Sequence, residues 1–198
     1  MIKLVLASSN KNKILEFKEI FRQFDIDIIG LSDLSFHQSE SPEENGQSFR
    51  ENADIKSRFY SKVIYNYVLA DDSGLCVDSL NGSPGIFSAR FAGVNATDEL
   101  NNQKLLNDMR LIVNRSAKFV CALSLAYKGN TICNSYGEVR GDILKEVKGI
   151  SGFGYDPIFY YPHLHKTFAE LSFEQKTKVS HRFHAGKDMA IRIKKISL

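Results

Sequence analysis

The stretch that decides the fold is Ile2–Leu31, IKLVLASSNKNKILEFKEIFRQFDIDIIGL. Ile2 to Ala7 is a short apolar run of the kind a sheet buries, and Ser8-Ser9-Asn10 breaks it. From Lys11 the apolar residues Ile14, Phe17, Ile20, Phe21 and Phe24 recur at helical spacing, with Asn10 placed as the N-cap. Ile26 to Leu31 reads as a second strand. The chain therefore opens β-α-β, and a right-handed crossover makes the two strands parallel.

Outward from that unit, residues 38 to 47, QSESPEENGQ, form a polar, acidic loop that includes Glu40, Glu43 and Glu44. Phe49, Ala53, Lys56, Tyr60, Ile64 and Tyr67 mark a second helix, and Val68-Leu69-Ala70 then runs into Asp71-Asp72-Ser73-Gly74. Residues 81 to 93, NGSPGIFSARFAG, are too rich in Gly, Pro and Ser to suggest regular structure. Thr97 caps a helix holding Leu105, Leu106 and Met109. Lys118–Tyr127 and Thr131–Val139 read as a hairpin around Gly129-Asn130, and one or two helices fill Glu174 to Ile196. The expectation is a mixed α/β (α+β) architecture: one domain over residues 1–198, with two lobes around a cleft.

Composition narrows the function. The chain has 198 residues, 43% hydrophobic and 25% charged, as a folded domain does. Lys plus Arg number 26 against 23 Asp plus Glu, a formal charge of +3, too small for a protein that grips nucleic acid mainly through phosphates. The excess still suits an anionic small molecule. Cys76, Cys121 and Cys133 share no CxxC spacing and read as small hydrophobes of a reducing compartment. No stretch approaches the roughly 20 apolar residues of a membrane span, and the start of the chain is no signal peptide, so a cytoplasmic protein is expected. His37, His163, His165 and His184 lie in no ligand-like spacing.

Four segments carry side chains suited to chemistry. Ser8, Ser9, Asn10, Lys11, Asn12 and Lys13 surround a helix start, where amide groups, hydroxyls and an ammonium suit phosphate oxygens; a capped turn with a solvated lysine is the competing reading. Asp71 and Asp72, at the end of an apolar run, point opposite ways on a strand, so one is free to be structural while the other holds Mg²⁺ or takes a proton; an Asp-Ser-Gly turn competes. Glu43 and Glu44 are their candidate partners. Phe153-Gly154-Tyr155-Asp156 offers aromatic faces and a carboxylate to a base, or a turn packed by two aromatics. Lys176 with Ser180-His181-Arg182 offers donors to a phosphate or a base carbonyl, as does Arg90, or plain helix-edge structure.

Taken in order, LVLASSNKNK, ENADIKSRFY, ADDSGLCVDSLNGSPGIFSARFAG, GFGYDPIF and FEQKTKVSHR resemble the inosine triphosphate pyrophosphatase family, the Ham1-like or RdgB-like enzymes, over nearly the whole chain. The resemblance implies an elongated mixed β-sheet flanked by helices, a homodimer, and Mg²⁺-dependent hydrolysis of ITP, dITP and XTP to the monophosphate and pyrophosphate. It further implies that Ser8, Asn10 and Lys13 form the phosphate turn and that Asp72 is catalytic acid and metal ligand, with Ser73 beside it. Glu43 would be the second metal carboxylate, with Glu44 as its neighbouring alternative. Lys56 would face the phosphates. Phe153, Gly154, Tyr155, Asp156, Lys176, His181 and Arg182 would recognise the base. Ser9 departs from the family's usual Gly, and the basic residues Arg192, Lys194 and Lys195 match no family role. Two rivals remain open at this point. One is a Maf-like nucleotide pyrophosphatase, whose opening LASxSxRR the segment LVLASSNKNK also resembles; the other is a non-catalytic nucleotide- or RNA-binding module.

Overall fold

The structure is a computed structural model that describes residues 2–34 and 41–196. His37, Glu40 and the first residues of the acidic loop lie outside the described residues. In chain order the elements are β1 (Ile2–Leu6), α1 (Lys11–Arg22), β2 (Ile26–Gly30), α2 (Phe49–Ile64), β3 (Val68–Val77), α3 (Asp98–Asp108), β4 (Ser116–Tyr127), β5 (Asn130–Ile143), β6 (Phe159–Tyr161), β7 (Lys166–Thr167), α4 (Phe173–Val179) and α5 (His181–Ile196). Among the described residues the strands form one seven-stranded sheet in the order β2-β1-β3-β4-β5-β6-β7. It is mixed: β1 runs parallel to β2 and β3, whereas β6 runs antiparallel to β5 and β7.

The opening β-α-β folds as its periodicity dictates. Asn10 caps α1, its side chain accepting the amides of Asn12 and Lys13. Where the chain departs from expectation, the reasons are local. Asp71-Asp72-Ser73-Gly74 is no turn, because β3 continues unbroken to Val77. Its parallel partner does stop: β1 ends at Leu6, which pairs with Leu69. The two aspartates therefore stand just past the carboxyl end of the parallel pair, where open α/β sheets place ligands. Residues Gly85–Arg90 of the Gly- and Ser-rich segment form a 3₁₀ helix, stitched by the Ser88 hydroxyl, which donates to Gly85 O and accepts from Leu75 N. The hairpin turn falls at Lys128-Gly129, one residue earlier than read.

The chain divides into two compact units, Met1–Asp72 with Cys121–Gly137 and His181–Leu198, and Ser73–Val120 with Glu138–Ser180; β3, β4 and β5 each run from one into the other. In the first unit Leu4 and Leu6 face α1 and α5, packing on Phe17, Ile20, Phe21, Met189 and Ile193. Val5 and Ala7, pointing the other way along the strand, pack with Val68, Ala70 and residues Tyr60 and Ile64 of α2. In the second unit Leu75, Val77, Phe119, Phe159, Phe168, Leu105 of α3 and Met109, which caps that helix, make a separate core. Each fully buried Leu or Phe contributes about 1.5–3 kcal/mol of transfer free energy, so both cores are well supplied. Cys121 is buried in the first of them, and no thiol is in a disulfide among the described residues.

Candidate active site

The helix start after β1 is less open to an anion than its sequence suggests. The amides of Asn12 and Lys13 are already taken by Asn10 Oδ1 at 2.9 and 3.1 Å, and Asn10 N–H donates to Ser8 Oγ at 3.2 Å. Ser9, Asn10, Lys11 and Asn12 are exposed. Lys13 points inward instead, its ammonium donating to Asp71 Oδ2 at 2.9 Å. Asp71 is 1% exposed, and Lys13, Lys56 and Arg182 together outweigh its burial and hold its carboxyl at about 2. It is ionised at any working pH and serves to anchor Lys13.

Asp72 differs, as alternation along a strand requires. It is 13% exposed, and desolvation pushes its carboxyl up to about 6 despite Lys56, Lys13 and a hydrogen bond from Asn52. A carboxylate poised near neutrality is suited to accepting a proton. Lys56 Nζ lies 3.8 Å from Asp72 Oδ1 and 3.0 Å from Glu44 Oε2. One ammonium is thus bracketed by two carboxylates. Of the two acidic-loop candidates it is Glu44 that is brought to the cluster; Glu43 is exposed and makes no ion pair among the described residues. Ser73 is half-buried next along β3.

Asn52 is the residue that sequence reasoning passed over. It is 1% exposed; its Nδ2 donates to Asp72 Oδ2 at 3.1 Å and its Oδ1 accepts from Gly46 N–H at 2.9 Å. Only one orientation of the amide satisfies both neighbours, so the acidic loop and the Asp72 carboxylate are fixed relative to each other through one side chain. ENA inside a helical pattern carries no signal of this. Glu16 was also missed: it is buried on α1 and accepts from Arg182 Nη1 at 3.0 Å. An acid on the core face of an amphipathic helix is a readable sign of a buried cation nearby. Arg182 is accordingly a buried, ion-paired residue at the start of α5, beside the buried His181.

In the second unit, Phe153, Asp156 and Lys176 come together. The Asp156 carboxylate accepts from Phe153 N–H at 2.9 Å and from Lys176 Nζ, and that ammonium lies over the Phe153 ring, 4.5 Å from its centroid. Asp156 and Lys176 are both buried. Tyr155 is turned into the core, its hydroxyl donating to Ser88 O at 2.8 Å. Gly154 N–H is already donated to Asp98 Oδ2. The aromatic face that stays half-open in this loop is that of Phe153.

Asp72 and Glu44 are the carboxylates fit to hold a divalent ion. The observation that favours this is Lys56, a cation already bracketed between them. Among the described residues no group of three or more His, Cys, Asp or Glu side chains forms a metal cage. One or two carboxylates completed by substrate phosphates is the usual habit of Mg²⁺. No helix among the described residues is long and apolar enough to cross a membrane.

The model of the Ham1 family matches residues 4–191. A dITP/XTP pyrophosphatase of Staphylococcus aureus is 47% identical over 185 residues, 93% of this chain and 93% of that protein. The solved Ham1 protein of Staphylococcus aureus superposes with a TM-score of 0.86 at 45% identity, covering 98% of this chain and 99% of its own. A nucleoside-triphosphatase/dITP/XTP pyrophosphatase of Mycobacterium abscessus gives a TM-score of 0.73 at 37% identity, covering 97% and 99%.

Proposed function

The chain belongs to the Ham1 family, and from that premise we propose that it hydrolyses non-standard purine nucleoside triphosphates of the ITP, dITP and XTP class to the monophosphate and pyrophosphate. The observation that carries the reading is the charge cluster of Asp72, Glu44, Lys56 and the Asp71-anchored Lys13, built just past the end of the parallel strands. The family match over most of the chain also takes the place of the Maf-like alternative. We read residues 1–198 as one nucleotide-pyrophosphatase domain. Magnesium as the metal, a homodimer as the assembly and the cytoplasm as the compartment belong to the same reading and rest on the family resemblance.

In the proposed reaction a water oxygen bonds to the α-phosphorus while the bond from that phosphorus to the bridging oxygen breaks, and pyrophosphate leaves. Asp72 and Glu44 would hold a divalent ion, whose chemistry would be to offset the negative charge of the triphosphate. Asp72 takes the water's proton on a carboxylate oxygen. Lys13, fixed by Asp71, and Lys56 offer ammonium groups to phosphate oxygens. Asn52 holds the Asp72 carboxylate in one orientation. Within the second unit, Phe153 has a half-open face suited to a base, and the Lys176 ammonium beside that ring is a donor suited to a 6-keto oxygen, a position where adenine offers a donor of its own. A site with a donor there is left unpaired by adenine and discriminates against it.

The test is pyrophosphate release from ITP, dITP, XTP, GTP, ATP, dTTP and UTP, with and without Mg²⁺, for the wild type and Asp72→Asn. Release from the first three substrates, dependent on the metal and reduced at least a hundredfold in the variant, is expected. Near-normal turnover by Asp72→Asn removes Asp72 from the chemistry, and preference for dTTP or UTP overturns the substrate class.

A further inference from the structure

We propose that Asp98 and Asn102, on α3, are positioning residues that set the conformation of loop 152–156 and through it the discrimination between nucleobases. The inference rests on the reading of Phe153 as the base-facing ring. Asp98 and Asn102 stand one helical turn apart, so their side chains share a face of α3. Together they hold both backbone groups of a single residue: Gly154 N–H donates to Asp98 Oδ2 at 2.6 Å, and Asn102 Nδ2 donates to Gly154 O at 2.9 Å.

Three further observations give this clamp its weight. Gly154 has φ of +63°, which glycine adopts without strain but also leaves freely, so hydrogen bonds to its own backbone are what hold the loop in this conformation. A cavity of about 680 Å³ is lined by α3 residues including Asn102 and Leu106 and by loop residues Gly152, Phe153 and Gly154. Packing between helix and loop is therefore incomplete there, and directional bonds must do what packing does not. Finally, Asn102 is 6% exposed and its Oδ1 has no hydrogen-bond partner among the described residues. A buried amide with an orphan oxygen in mid-helix is a poor choice for stability, where Leu would form helix better and bury no polar atom. What Asn102 does provide is the donor to Gly154 O.

The neighbouring restraints complete the picture. Asp156 holds Phe153 N–H, and Tyr155 is tied to Ser88 O. Residue 153 is thus held from within the loop and residues 154 and 155 from outside it, and α3 supplies the hold between the ring that faces the base and the tyrosine that anchors the core.

The experiment compares Asn102→Leu, Asp98→Ala, Asp98→Asn and Phe153→Ala with the wild type. Values of kcat/KM are measured for ITP, XTP, GTP and ATP, with pyrophosphate inhibition and Tm in parallel. Asn102→Leu and Asp98→Ala should each lower the ITP-to-GTP and ITP-to-ATP ratios by about fivefold to tenfold, the worth of one lost hydrogen bond. Their Tm should stay within a few degrees and their inhibition by pyrophosphate, which has no base, should not change. Asp98→Asn keeps an acceptor for Gly154 N–H and should recover part of the ratio. If Phe153→Ala shifts the ratios and the two clamp variants do not, or if the clamp variants lower all four substrates alike, the proposal is overturned. If Phe153→Ala leaves the ratios untouched, the base-reading assignment itself fails, and the inference with it.

Discussion

Asp72→Asn should abolish turnover and yet make the protein more stable at neutral pH. The Asp72 carboxyl rises from an ordinary 3.8 to about 6, chiefly because burial penalises its charge. Ionising it in the folded state thus costs about 3 kcal/mol more than in the unfolded chain, at 1.36 kcal/mol per pH unit. The sign follows from proton counting. Between pH 3.8 and about 6 the folded protein holds a proton that the unfolded chain has released, so stability falls as pH rises through this window. Above it the penalty is constant; below pH 3.8 it is absent. Asparagine never ionises and escapes it, and because the value of about 6 already includes the attraction to Lys56, the gain is about 3 kcal/mol at pH 7.5. At about 2–4 °C per kcal/mol for a chain of this size, Tm should rise by several degrees. With no Trp in the chain, far-UV circular dichroism in urea is the assay, run at pH 4 and pH 7.5 with a chelator present. A variant no more stable than wild type at pH 7.5, or equally stabilised at both pH values, refutes the account of Asp72 as a carboxylate held at a cost for its chemistry.

Two further perturbations probe its neighbours. Lys13→Met leaves the buried Asp71 without its ammonium at 2.9 Å, and should cost about 2–4 kcal/mol at pH 7, with the double variant Lys13→Met/Asp71→Asn recovering most of it in urea denaturation. Because the Asp71 carboxyl is held at about 2, wild type loses that stabilisation as pH falls from 4 towards 2 and the double variant does not; matching acid profiles would count against the pair. Gly46→Ala places a Cβ 2.7 Å from Asn52 Oδ1 and 2.7 Å from Glu51 Cβ, both on α2. The acidic loop must shift, so kcat/KM for ITP should fall about tenfold, the order lost with one or two hydrogen bonds, and half-saturation by Mg²⁺ should rise. Unchanged metal dependence would show that Glu44 is not held for a cation.

Much of the frame was legible because it is written in local periodicity. The β-α-β opening needs only the spacing of Ile14, Phe17 and Ile20 and a capping Asn10, and all of that lies within a dozen residues. The continuation of β3 was not legible, because Asp71 and Asp72 look like a turn until their partners are known. Those partners sit on α1 and α2, and no window along the chain contains them. The same holds for Glu44 over Glu43: adjacent acids in a loop have no period to tell them apart, and the choice is made by Lys56 on a separate helix.

Several cations that the sequence marks as grips for substrate are also not bare charges. Lys13 is paired with Asp71, Lys56 with Glu44, Lys176 with Asp156 and Arg182 with Glu16. Three of these pairs, all but the one at Lys56, combine a buried carboxylate with a buried or largely buried cation. Such a pair holds its cation in one place at a desolvation cost paid on folding, so little side-chain entropy is left to lose when an anion arrives. It also discounts each cation's attraction for that anion. The Lys56 bracket shows how the discount can be lifted: a divalent ion that takes Asp72 and Glu44 removes the two carboxylates competing for the ammonium. On this argument metal and triphosphate should bind with positive cooperativity, each tighter in the presence of the other.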